Sequence, residues 1–368
     1  MGLNEKVEII GAGTAGLIAA KRLALHGIRT NVYDRKSVLG NQFASGILSI
    51  EGLRTLGIDY KHAVTNTFYG ARLHAGNETL TIISKKPKAH NIDRMLLARE
   101  CLDEAETAGA NVVIGRQIGK RELEAMHSNG EIIVGADGAV SNVASFFGFP
   151  KIGRYVLTYK ENYKTGSIDD PKIVDIFFDN DITRGLFGWA VPVDNDTIEL
   201  GVGLDSGNGN SRTAFDRFVK KKEINDILGR NARRLGGGAS IIPIGVRKRF
   251  VDEEKRVLLV GDAAGQTKSS TGGGIIFGGN AAIMAADTIR SNIDEGADLE
   301  NYEKAWRSIY SKEIIAHSIV HSIYSSMSNT QLGMLFAFLR KLGIEGFLAK
   351  HGNMDEPTKM IKSLFGRA

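Results

Sequence analysis

Asp262 stands at the end of an apolar run, Val257-Leu258-Leu259-Val260-Gly261, and ten residues before a glycine triplet, Gly272-Gly273-Gly274. The apolar run has the character of a buried strand, and the alanine-rich stretch from Ile275 to Arg290 that of a helix. A carboxylate at a strand end can accept hydrogen bonds from sugar-like hydroxyls. A helix start presents unpaired N–H groups and a partial positive charge that favours an anion. Glycines let the backbone approach a flat ring, because no side chain intervenes. Together they suit a bound flavin, with Asp262 on the ribityl chain and the helix start, through Gly273, against the ring edge that turns negative on reduction. An ordinary strand–loop–helix crossover has the same outline, and this segment alone does not choose between the two.

Two further segments bear on that choice. Lys6–Ile10 reads as a strand, followed by Gly11-Ala12-Gly13-Thr14-Ala15-Gly16, a helix to about His26, and a second strand, Arg29–Tyr33, ending at Asp34. This is a βαβ dinucleotide fingerprint in its required context. Gly11 makes the tight turn, Gly13 admits the pyrophosphate, Gly16 lets helix and strand pack, and Asp34 is placed for the ribose hydroxyls. The third segment, Glu131–Val134 running into Gly135-Ala136-Asp137-Gly138, is a strand with an Asp-Gly turn. It can seat the middle of a dinucleotide or be a simple turn.

The remaining elements must carry these corners. Residues Phe68–Ile83 alternate like strands of a small sheet, and Asn91–Ala108 reads as a helix with Asn91 as a candidate cap. Tyr155–Tyr159, Ile173–Phe178, Leu186–Val193 and Thr197–Leu204 read as strands of an antiparallel sheet rich in aromatic residues. Arg212–Arg234 reads as a basic helix, Gly236-Gly237-Gly238 as a link back to the first domain, and the chain from Glu300 onward as helical. Leu332–Leu339 and the Lys-Met-Ile-Lys-Ser-Leu-Phe tail are apolar and basic together, which suits either a membrane surface or packing on the body.

Composition narrows the classes. The chain has 368 residues, enough for two domains or one composite one, and a net charge of +5. Its basic residues fall in short scattered groups, with no nucleic-acid motif. The single cysteine, Cys101, excludes an internal disulfide and a cysteine-ligated cluster, and its spacing with Leu97 and Ala105 suits a buried thiol. His317 and His321 share a helix face with no third ligand, so no metal is expected there. With no signal-peptide pattern and no apolar run of spanning length, the expected location is cytoplasmic, or peripheral at the inner face of a membrane.

With these segments in place, the chain resembles the geranylgeranyl reductase family, within the glutathione-reductase-like flavoproteins that include p-hydroxybenzoate hydroxylase. The resemblance rests on Gly11–Gly16 with Asp34, Gly135–Gly138, Gly261–Ala264 and Gly272–Ile275. It also rests on Phe187-Gly188-Trp189-Ala190-Val191-Pro192, where the family has an aromatic-x-Trp-x-Phe-Pro motif, and on Tyr302–Arg307. It implies an α/β fold, with a Rossmann-like FAD-binding domain (1–66, 88–150 and 242–298), an antiparallel β-sheet substrate domain (67–87 and 151–241) and a C-terminal helical region (299–368). Implied contacts with FAD fall on Ala15, Asp34, Arg35, Ala44, Gly46, Arg94, Asp262, Gly274 and Ile275, and contacts with substrate on Phe187, Trp189 and Pro192. The family often has a cysteine where this chain has Phe43, so cysteine-based chemistry is not carried over. Ala98 and Ser269 also depart from the family's aspartate and proline.

The implied reaction is saturation of carbon–carbon double bonds in a polyprenyl lipid or prenylated quinone. Hydride would come from reduced FAD and a proton from an acid the sequence does not identify, with Tyr159, Tyr163 or a water as candidates. No second strand–glycine–helix fingerprint for NADPH stands out, so electrons are expected from an external ferredoxin-like donor or transiently bound NAD(P)H. Two rivals share these residues. One is a flavin monooxygenase or halogenase, since Phe187-x-Trp189-x-Val191-Pro192 is similar to the halogenase Trp-x-Trp-x-Ile-Pro signature. The other is a lipid- or quinone-binding flavin electron carrier.

Overall fold

A computed structural model describes residues 5–40 and 42–365. In chain order the first elements are β1 (Lys6–Ile10), α1 (Thr14–Leu25), β2 (Arg29–Asp34), β3 (Ile47–Ser49) and α2 (Ile50–Thr55). There follow β4 (Val64–Phe68), β5 (Gly70–Ala75), β6 (Glu78–Ile83), β7 (Ala89–Ile92), α3 (Arg94–Thr107), β8 (Asn111–Ile114), α4 (Lys120–Ser128), β9 (Ile132–Gly135) and α5 (Asn142–Phe146). The middle of the chain supplies β10 (Arg154–Lys164), β11 (Ile173–Phe178), β12 (Gly188–Pro192), β13 (Thr197–Asp205), α6 (Ser211–Phe218), α7 (Lys222–Leu228) and β14 (Arg233–Ile244). The last third adds β15 (Val251–Asp252), β16 (Val257–Leu259), α8 (Ile275–Glu295), α9 (Glu300–Ser326), α10 (Asn329–Lys341), α11 (Ile344–His351) and α12 (Pro357–Phe365).

The fold is α/β, as the sequence implies. One sheet has the order β15-β16-β9-β1-β2-β8, parallel except where β15 pairs with β16. Its central strands are buried on both faces, which is why Ile132–Val134 and Val257–Leu259 read as continuous apolar runs, while β1 buries Glu8 between Val7 and Ile9. Helices α1 and α8 pack together over it, with Ile18 against Gly279 and with Leu17, Ala20, Ala281 and Ala285 all buried in the core. The second sheet has the order β14-β10-β13-β12-β11-β5-β6. It is antiparallel except between β5 and β11, which run parallel because β5 enters from a distant part of the chain rather than through a hairpin. A third sheet, β3-β7-β4, lies between the segments that build the other two in sequence.

Four local readings change. The expected basic helix over Arg212–Arg234 divides into α6 and α7, and Gly229, at φ +67°, ends the second before Arg233-Arg234 begins β14. The expected glycine link, Gly236-Gly237-Gly238, is part of β14, paired with β10. Glycine is required there by close neighbours, because a methyl on Gly237 would overlap the Lys160 carbonyl and one on Gly238 the ring of Phe43. The cap of α3 is Asp93, whose carboxylate accepts from the N–H groups of Met95 and Leu96 at 2.8 and 3.0 Å, while Asn91 lies in β7 and donates to Thr65. Helix α4 leaves no apolar stripe in the sequence, since Leu123 is its one buried residue.

In the C-terminal region, Leu332 and Phe336 of α10 pack on Ala75, Leu80 and Tyr324, while Met334 and Phe338 face outward. No helix of the described residues is long and apolar enough to cross a membrane. The Cys101 thiol is buried in the main core, and burial pushes its pKa up to about 12.

Candidate functional site

Three glycine-bearing corners meet at the carboxyl ends of β1, β9 and β16, the crevice where open α/β sheets bind ligands. Gly11 has φ +111°, and a methyl there would overlap the carbonyl of Ala136 at the end of β9. A methyl on Gly16 would overlap the Gly11 carbonyl, so this glycine lets α1 lie against the turn. Gly261, at φ +63°, faces Ala15, whose Cβ would stand 3.0 Å from an added methyl. Gly278 of α8 packs on Gly261 in turn.

Gly13 differs from these glycines, because a methyl there would meet nothing within 4 Å. It faces open space at the start of α1. Asp34 closes the turn from below, its carboxylate accepting the N–H groups of Ala12 and Lys36, each at 2.8 Å. Arg35, just beyond, is exposed. Asp137 is occupied by the scaffold, accepting from Ser141 Oγ at 2.5 Å and from the backbone N–H groups of Asn142 and Val143.

Helices α1 and α8 share an unusual start. Among the described α-helices with a defined N-cap, they alone have neither a side-chain cap nor an acidic residue in the first turn. Each starts from a glycine, Gly13 or Gly274, so the first N–H groups have no side-chain acceptor. The others draw on Ser49, Asp93, Ser141, Asn210 or Ser328, or on first-turn glutamates. Two bare positive helix ends fit a ligand with a pyrophosphate at one place and an electron-rich ring edge at another.

Asp262 and Arg94 add two charged groups. Both are surrounded by protein atoms yet keep partial contact with solvent, as groups lining a cleft do. Burial pushes the Asp262 carboxyl above the usual carboxylate range, with the Arg94 guanidinium pulling the other way. The carboxylate points at Gly274, with Oδ1 2.7 Å from where a methyl on that glycine would stand. Ile275 follows as the first residue of α8. Arg94, the first residue of α3, donates to the Ser45 carbonyl at 3.3 Å and so reaches the loop that carries Phe43, Ala44 and Gly46. Gly46 lies where a methyl would overlap the Ile92 carbonyl. Ser45 Oγ and Thr271 Oγ1, on either side of this space in sequence, are buried without partners among the described residues. The Asp262 carboxylate as acceptor, with two hydroxyls orphaned among the described residues and two bare helix starts as donors, is a set of polar groups that a flavin dinucleotide would satisfy.

The aromatic segment stands next to that loop. Phe187 and Trp189 are 6.4 Å apart between ring centroids, in a cluster with Phe68, Val174 and Val191. Ile47, the residue after Gly46, packs on the same cluster. Pro192 ends β12, buried, with its carbonyl accepting from Asn66 at 2.9 Å. The indole N–H of Trp189 donates to Glu199 at 2.8 Å, and Glu199 pairs with Lys160 at 2.5 Å. This polar pair leaves no local mark in the sequence, because its members are 39 residues apart. Tyr159 and Tyr163 project from β10 with Glu161 and donate to its carboxylate, alongside Arg212 and Arg234, on alternate positions from Lys160. His317 and His321 are buried, bonded to Ser270 and the Gly185 carbonyl respectively.

Comparison with known proteins bears on these features. The model of a family described as FAD binding domain matches residues 4–295. An uncharacterised protein of Methanocaldococcus jannaschii is 28% identical, covering 97% of this chain and 95% of its own. A digeranylgeranylglycerophospholipid reductase of Methanothrix thermoacetophila is 24% identical, covering 93% of this chain and 94% of its own. Among solved structures, a geranylgeranyl bacteriochlorophyll reductase-like protein of Thermoplasma acidophilum superposes with a TM-score of 0.81 at 18% identity. That match covers 98% of this chain and 96% of the other.

Proposed function

Because this chain belongs to the FAD-binding domain family and has FAD as its cofactor, we propose that it saturates carbon–carbon double bonds of a polyprenyl lipid. The observation that carries the reading is the continuity between the loop 43–47 and the aromatic wall. Ile47 packs into the cluster that contains Phe187 and Trp189, so a buried apolar cluster adjoins the expected seat of the flavin. A prenyl chain offers no polar handle, and apolar side chains are what can bind it and exclude water. Relatives named digeranylgeranylglycerophospholipid reductase support the same substrate class.

In this reading Gly13 and the bare start of α1 hold the pyrophosphate, Asp262 accepts from ribityl hydroxyls, and Gly273, Gly274 and the start of α8 lie along the ring. Reduced FAD, when bound, supplies the hydride. Trp189 and Phe187 hold the chain against the ring, and Ile47 and Val191 keep water from it. Lys160, paired with Glu199, reaches Trp189 only through that carboxylate. Electrons reach the flavin from a separate donor.

Flavin-dependent halogenases and monooxygenases share the fold. Anaerobic incubation of the dithionite-reduced protein with a panel of prenyl lipids, read by mass spectrometry, separates the readings. A gain of two hydrogens per double bond is the expected result. Reduction of no lipid, with oxygen-dependent turnover instead, overturns it, and flavin reoxidation by a quinone whose tail is unchanged selects an electron carrier.

A further inference from the structure

Lys160 is a lysine with only 7% exposure in the second strand of the seven-stranded sheet, where an unpaired ammonium would be costly. Its register partners are Gly201 on β13 and Gly238 on β14. Neither carries a side chain, and aromatic rings fill the gaps, since a methyl on Gly201 would overlap Trp189 and one on Gly238 would overlap Phe43. The ammonium therefore lies between the residue that begins the cofactor loop and the residue that dominates the substrate wall.

Its contacts join the two. Lys160 Nζ donates to the Ala44 carbonyl at 3.1 Å and to Glu199 Oε2 at 2.5 Å, and Glu199 Oε1 accepts the Trp189 indole N–H at 2.8 Å. Glu199 is 3% exposed. Beside the pair, Asn162, in register with Glu199, keeps a buried carbonyl oxygen without a partner among the described residues. Replacing a buried ion pair with apolar residues of similar volume is often neutral or stabilising, so stability alone does not account for this one.

We propose that Lys160 and Glu199 are positioning residues that tie the loop carrying Ala44 and Gly46 to the wall carrying Trp189, so that the flavin's seat and the substrate's wall keep one geometry. The inference rests on Ala44 and Gly46 lying against FAD, as in the reading above, and not on which lipid is reduced.

The test uses the full chain loaded with FAD and without substrate. The variants are K160M, K160R, W189F and the double variant K160M/E199Q, in which neither charge is left unpaired. FAD affinity by titration, the visible spectrum of the bound flavin and thermal unfolding of the apoprotein are measured for each. K160M and the double variant should bind FAD at least tenfold more weakly with displaced visible bands, although the double variant's apoprotein unfolds near the wild-type temperature. K160R should regain most of the affinity, and W189F should displace the bands with at most a few-fold change in affinity. If K160M does not fold, the double variant carries the test. Wild-type affinity and spectrum in the double variant, or an unfolding shift with no spectral change, overturns the proposal. An unchanged spectrum in W189F overturns the link to the wall. Lipid saturation is read separately by mass, so either reading can fail without the other.

Discussion

Asp355 reaches back 87 residues to pair with Lys268 at 2.5 Å, both side chains less than a tenth exposed. Lys268 belongs to a wholly buried loop, Gln266–Ser270, that leads into the glycine triplet, and its Cε would be 2.7 Å from a methyl on Gly273. Asp355 also accepts from Ser49, the cap of α2, and the Asp355 carbonyl faces His317. The C-terminal turn thus holds the cofactor loop from behind.

Removing one member of that pair leaves a buried charge alone. D355A should lower the stability of the apoprotein by about 3–5 kcal/mol, and K268M/D355L should recover most of the loss. Urea denaturation of the wild type and these two variants measures both the loss and its recovery.

His317 makes stability depend on pH. Burial, with a contribution from the Lys268 charge, pushes its pKa down to about 4, from 6.5 for a free imidazole. The unfolded chain therefore binds a proton that the folded one refuses between those values. The contribution is fully present above pH 6.5 and is lost as pH falls towards 4, on the order of 3 kcal/mol in all. Denaturation midpoints taken from pH 7 to pH 4 should fall less steeply in H317N than in the wild type.

Gly13 and Gly16 separate cofactor binding from folding. G13V projects into open space, so the apoprotein should unfold near the wild-type temperature while FAD affinity drops tenfold or more. G16V drives its side chain into the Gly11 carbonyl and should destabilise the apoprotein itself by roughly 1–3 kcal/mol or more. Differential scanning calorimetry with and without FAD distinguishes the two behaviours.

Asp262 should show the opposite signs for binding and stability. Its carboxyl is raised by burial, so its ionised form costs the apoprotein free energy at neutral pH. D262N should make the apoprotein slightly more stable and weaken FAD binding by about tenfold, the loss of a charge-assisted hydrogen bond of roughly 1.5 kcal/mol. Titration calorimetry and thermal unfolding together check both.

The parts of this site that local chemistry dictates were legible in the residues. Gly11, Gly16 and Gly261 are glycines because backbone or neighbouring atoms fill the space a side chain would take, and such steric demands mark the sequence at fixed spacing. The bare starts of α1 and α8 are legible as well, since no Ser, Thr, Asp or Asn immediately precedes either helix. Strand β14 was hidden because basic residues and three glycines make a poor local strand, and its existence depends on β10 alongside it. The choice of Asp93 over Asn91 turned on where β7 ends, a matter of one turn of chain. The pairs Lys160–Glu199 and Lys268–Asp355 had no local signal, because each is made by folding distant residues together.

The two large sheets are threaded through each other in sequence. The chain leaves the mostly parallel sheet after β2, returns at β8, leaves again after β9 and returns at β15. No single cleavage separates one sheet from the other, and neither can close its strand order while the other half of the polypeptide is unmade. Assembly must therefore close loops of great length, an entropic cost that slows folding.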